Sequence, residues 1–155
     1  MADSRLIFSI FADDIRQEVD GKVTHVGVYQ GGMNVTGIPP VVLPKLAIST
    51  YIHTPLEQPF HDMELDLVLD DEVVQHVDTP RAQLANALAT ARAVPGSKEI
   101  GFNIVMVLQP FVLGKRGILR MKAKFDGQEL VGNGLRIEFV KQPEAELPAA
   151  IAIAQ

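Results

Sequence analysis

Turn-forming residues recur along this chain at short and fairly even intervals, and nothing else in the sequence constrains the fold as strongly. The 12 glycines and 10 prolines, with Asp-Gly pairs at Asp20-Gly21 and Asp126-Gly127, divide it into short runs of β-branched and aromatic residues. That pattern favours an all-β sandwich or barrel over a helical fold. The run Arg5 to Ala12 is apolar on both faces through Leu6, Ile7, Phe8, Ile10 and Phe11, which predicts a central strand buried on both sides. Lys22 to Tyr29 follows Asp20-Gly21, a dipeptide suited to a hairpin because both positions tolerate positive φ. Gly31-Gly32 and Gly37-Ile38-Pro39-Pro40 then read as a loop, since proline lacks the amide hydrogen a ladder needs.

Lys45 to His53 is the third run. The fourth, His61 to Leu69, alternates Met63, Leu65, Leu67 and Leu69 with Asp62, Glu64 and Asp66, so one face is buried and the other wet. Asp70-Asp71 turns the chain into Glu72–Val77 as a hairpin. One helix is predicted over about 80–92, with Thr79 as its N-cap, Pro80 at its first position and Leu84, Ala85, Leu88 and Ala91 at helical spacing. Ile100 to Gln109 is apolar on both faces apart from Asn103 and reads as a second central strand. Ile118 to Phe125 alternates Leu119, Met121, Ala123 and Phe125 with Arg120, Lys122 and Lys124. Gly132-Asn133-Gly134 reads as a further tight turn before Leu135, Ile137 and Phe139. The expected architecture is an antiparallel β-sandwich of about eight strands, with barrel closure as the alternative. Residues 1–140 form one domain and 141–155 an extended C-terminal tail.

A chain of 155 residues buries enough surface to fold without a disulfide or metal. The absence of cysteine excludes thiol catalysis and any cysteine-ligated metal site. A net charge of −5 argues against nucleic acid as the main partner. No apolar run approaches the roughly 20 residues of a membrane helix, and the opening MADSRLIFSIFADD lacks the basic lead and small-residue cleavage site of a signal peptide. The expected location is the cytoplasm, or a particle assembled there.

The segments FADDIRQEVDGKVTHVGVY, LPKLAISTYIHTPLEQPF and LVLDDEVV resemble a family of bacterial and phage proteins catalogued only as a domain of unknown function. The resemblance lies mainly in residues 5–75. It implies a compact β-rich domain in a bacterial or phage setting, and it brings neither an activity nor a functional residue.

Few residues are grouped as catalysis would need. No G-x-S-x-G elbow surrounds any serine, and the glycine clusters do not open a helix as a phosphate cradle would. His25, His53, His61 and His76 lack the close spacing of metal ligands, although His53 and His61 flank one loop and are candidates to lie side by side. Asp13, Asp14, Asp70 and Asp71 are expected in turns. They are either turn formers or, in the alternative reading, the acidic end loops of a ligand- or calcium-binding sandwich. The spaced D-x-D-x-D-G loop is missing. Arg120, Lys122 and Lys124 have the same spacing as Asp62, Glu64 and Asp66 with opposite sign, which favours paired or solvated strand faces over a phosphate strip.

The tail offers the remaining feature. Ile151 and Ile153 sit at strand spacing in an uncharged terminal segment, so three fates are open: contact with another subunit, packing on its own domain, or fraying. The leading expectation is a non-catalytic interaction or assembly module without a cofactor. It would contact itself or other protein subunits through Ile151 and Ile153, with Arg120, Lys122 and Lys124 as a secondary polar surface.

Overall fold

The computed structural model describes residues 5–143. Among these, eleven strands and one α-helix follow one another, with a single 3-10 turn (Val19–Gly21) between the first two strands: β1 (Leu6–Gln17), β2 (Val23–Val28), β3 (Gly32–Thr36), β4 (Val41–Leu43), β5 (Leu46–Pro55), β6 (Met63–Leu69), β7 (Glu72–Thr79), α1 (Arg81–Arg92), β8 (Glu99–Leu108), β9 (Phe111–Leu113), β10 (Gly117–Phe125) and β11 (Gln128–Val140). One sheet has the order β2-β1-β5-β8, a second β3-β11-β10-β6-β7, and β4 and β9 form a separate two-stranded ribbon. All pairs are antiparallel except β11 with β3. The chain is thus an all-β, sandwich-like fold with one short helix, as expected.

The alternating runs explain the core. Leu119, Met121, Ala123 and Phe125 of β10 are buried, and they pair in register with Leu69, Leu67, Leu65 and Met63 of β6, which are buried too. From the other sheet come Ile7 and Phe11 of β1 and Ile48 and Ile52 of β5. Phe60 ties the layers together, its ring 4.5 Å from that of Phe125 on β10 and 5.4 Å from that of Phe102 on β8.

Several local readings need correction. Gly132-Asn133-Gly134 is a bulge inside β11, where the β10–β11 register slips between Arg120 and Lys122. The bulge lets the Asn133 amide pair with the backbone of Ser9 on β1, so the two sheets are stitched along one side. Asp13-Asp14 lies within β1 and not in a turn: Tyr29 and Lys45 hold the two carboxylates, and the strand runs on to Gln17. Thr79 ends β7 opposite Met63 and does not cap the helix; Pro80, with ψ 132°, stands at the N-cap. β8 is an edge strand and not a central one: it pairs with β5 alone, and its apolar faces say nothing of lateral neighbours.

The loop expected around residues 31–40 contains β3, which runs parallel to the end of β11, and together with β4 and β9 it raises the strand count from about eight to eleven. β1 is central between β2 and β5, but Leu6 and Phe8 on its outer face are exposed, 53% and 38%. The β1–β2 ribbon also curls. His25 pairs with Ile15 and Tyr51 with Phe8, positions seven residues apart on β1 and so roughly 23 Å apart in a straight strand. Yet the His25 and Tyr51 rings lie 6.5 Å apart, so the ribbon turns back over the sheet. The bend coincides with Gly27, whose φ of 66° and close approach to the Asp13 carboxylate leave no room for a side chain.

Candidate interaction surfaces

The acidic and basic rows meet. On the outer face of the five-stranded sheet Lys122 stands opposite Asp66 and Lys124 opposite Glu64, and on its other side Lys124 faces Glu129. This is the paired arrangement that the equal spacing of the two rows led us to expect. The carboxylates nevertheless bond elsewhere. Asp62 takes the Arg81 guanidinium in a two-point contact of 2.6 Å each. Asp66 lies 2.5 Å from Nδ1 of His76, whose Nε2 is 2.9 Å from Asp78. Arg120, Lys122 and Lys124 therefore form a half-exposed basic strip along β10, with Asp66 and Glu64 of β6 on one side and Glu129 of β11 opposite Lys124 on the other.

The two carboxylates around His76 favour its charged form. Its pKa lies above the ordinary value of about 6.5, chiefly through the hydrogen bond to Asp66 and then that to Asp78. On the first sheet, Lys45 holds Asp14 below the usual carboxylate range at 2.7 Å, with Arg16 adding a weaker contact. The Tyr29 hydroxyl donates to Asp13 at 2.5 Å, and its pKa is pushed up to about 12 by burial first and the Asp13 carboxylate second.

These bonds settle where the alternative calcium residues stand. Asp13 and Asp14 point from a strand into side-chain partners, whereas Asp70, at positive φ in the β6–β7 turn, accepts the Ile118 amide. Asp70 and Asp71 border a shallow depression with Arg120 and Lys122, an unsuitable setting for a cation. Among the described residues no group of three or more His, Asp or Glu side chains is placed to hold a metal ion. His61 instead approaches Asp126 at 3.8 Å, and His53 packs over Gly101.

Ile151 and Ile153 lie outside the described residues. What the structure does show is an open seam between the free edges of β7 and β8. The helix joining them contacts β8, and the part of the seam it roofs is lined by Val77, Gln83, Ala87, Phe102 and Ile104. Beyond the helix lies a groove of about 450 Å³, floored by Leu69, Val73, Val74 and Val112. Val73 and Val112 are 55% and 57% exposed. At its rim Lys115 and Glu72 form an ion pair of 2.9 Å. In the sequence the consecutive valines Val73-Val74 just after the Asp70-Asp71 turn mark two apolar side chains but not the groove they floor.

No family model, curated protein or solved structure matches the chain. Among the described residues no helix is long and apolar enough to cross a membrane.

Proposed function

We propose that this chain is a non-catalytic interaction and assembly module, associating with copies of itself as a structural component of a phage-type or other multi-subunit particle put together in the cytoplasm. One observation carries the reading: the half-open seam, where an unpaired strand edge and exposed aliphatic side chains lie together at Val73, Val74 and Val112. Exposed edges and apolar patches of this kind are what proteins cover or use for association. The uncharged segment with Ile151 and Ile153 supports it as a device for reaching a neighbouring subunit. The strip Arg120, Lys122 and Lys124, flanked by acid, would set orientation between subunits more than strength.

The test is the solution mass of the intact chain across a dilution series. Mass that falls from a multimer to the protomer on dilution supports self-association. A protomer mass at every concentration overturns it.

A further inference from the structure

We propose that the groove between β7 and β9 receives residues Ala149–Ala154 of a second copy of this chain, an inference that rests on the assembly reading above. The groove is selective by its chemistry. Its floor is aliphatic, from Leu69, Val73, Val74 and Val112, and the charged side chains near it, Lys115 and Glu72, pair with one another at the rim. A charged side chain laid on that floor would be costly to desolvate. An uncharged, slim, aliphatic strand suits both features. Ala149-Ala150-Ile151-Ala152-Ile153-Ala154 is such a segment, with two isoleucines that project to one side when the chain is extended and alanines that keep it narrow. A volume of about 450 Å³ is within the roughly 300–1,000 Å³ of sites that enclose small ligands.

The β8 edge on the other side of the seam is a poorer receiver. Its first half lies beside α1, and its second half offers the exposed Val107.

The path of the chain argues for a second copy as the donor. Register places Leu135, Leu119, Leu69 and Glu72 at one level across the sheet, so β11 leaves past the same end as the β6–β7 turn. Reaching the far side of β7 means crossing four strand spacings, roughly 19 Å, and returning about 17 Å along the strand axis from Val140. That is about 25 Å in a straight line. Lys141 to Pro148 spans at most roughly 28 Å when fully extended, and the line runs through the ends of β10 and β6. A chain reaching its own groove would be drawn taut around these ends. It would also arrive parallel to β7, the weaker pairing direction. A neighbour is under no such constraint.

The lack of native cysteine makes a cross-linking test clean. Val74→Cys and Ile151→Cys are made in separate full-length chains, mixed and oxidised, with Val107→Cys as the competing edge. Both strand positions are exposed, so folding is preserved, and a matching circular dichroism melt verifies it. The proposal expects a mixed Val74→Cys/Ile151→Cys dimer that is lost when Val73→Glu is added to the Val74→Cys chain. A mixed dimer that forms only with Val107→Cys overturns the groove while leaving assembly intact. When both cysteines are placed in one chain at high dilution, an intramolecular disulfide would show that the tail returns to its own domain and overturn the second copy. An intact chain that is a protomer at every concentration removes the assembly reading itself.

Discussion

The side-chain amide of Asn133 pairs with both backbone groups of Ser9, accepting its N–H at 2.7 Å and donating to its carbonyl at 2.9 Å. One side chain thus imitates a rung of β-ladder between β11 and β1, which belong to different sheets. Ser9 is buried, and its hydroxyl is within hydrogen-bonding distance of Thr50 at 3.0 Å. Asn133→Ala should lower stability by about 1–2 kcal/mol, because two hydrogen bonds are lost where water replaces them only in part. Urea denaturation should show a lower midpoint with an unchanged slope.

The glycines beside Asn133 make that contact geometrically available. A Cβ at Gly134 would collide with Ile118 Cγ2, and one at Gly132 would sit 3.1 Å from the Met121 carbonyl oxygen. Gly134→Ala should cost about 1–3 kcal/mol by overpacking. Adding Ile118→Ala should return part of that loss, since the two positions are in contact and their effects are not additive. Equal and additive losses in the double-mutant cycle would contradict the collision.

Much of the fold was legible in the sequence where one strand face is wet. The runs Met63–Leu69 and Leu119–Phe125 declared their inward faces through a period of two, and the structure buries those faces. Local reading failed where the deciding partner is distant. Gly-Asn-Gly is equally the chemistry of a turn and of a bulge, and only Ser9, 124 residues away, separates them. Asp13-Asp14 looked like a turn because aspartate favours turns, but Tyr29 and Lys45 engage the two carboxylates across 16 and 31 residues. β8 read as central because both its faces are apolar, and no property of a single strand reports whether a neighbour lies beyond it. Of the candidate surface, the basic strip was visible. The groove was not, since it depends on where α1 stops covering the seam.

The His76 site predicts a pH dependence. The histidine's folded pKa is raised, so the stabilisation it provides is fully present below its unfolded value of about 6.5. That stabilisation is lost as pH rises through the folded value. The melting temperature of the native chain should therefore exceed that of His76→Gln at pH 6, and the gap should close toward pH 9. A gap that widens with pH would contradict the assignment. A histidine ring proton should titrate above its usual range and return toward it in Asp66→Asn.

The facing charge rows predict a salt-dependent effect. Lys122→Glu places like charges opposite Asp66, and Lys124→Glu does the same against Glu64 and Glu129. Each should cost about 0.2–1 kcal/mol at low salt, less in high salt as screening sets in. Thermal melts at two ionic strengths check it.

Tyr29 provides a spectroscopic check on the curled ribbon. Its phenol ionises at about 12, and Asp13→Asn should bring that down by the share owed to the carboxylate while burial keeps it above 10. Ultraviolet titration of the phenolate reads this directly.

The most direct test of the assembly account compares the intact chain with one ending at Lys141 by sedimentation across the same dilution series. The account predicts a multimer for the intact chain and a folded protomer for the shortened one, with matching circular dichroism. The same oligomeric state for both chains at every concentration would contradict it: two protomers would remove the assembly, and two multimers would remove the tail as its device.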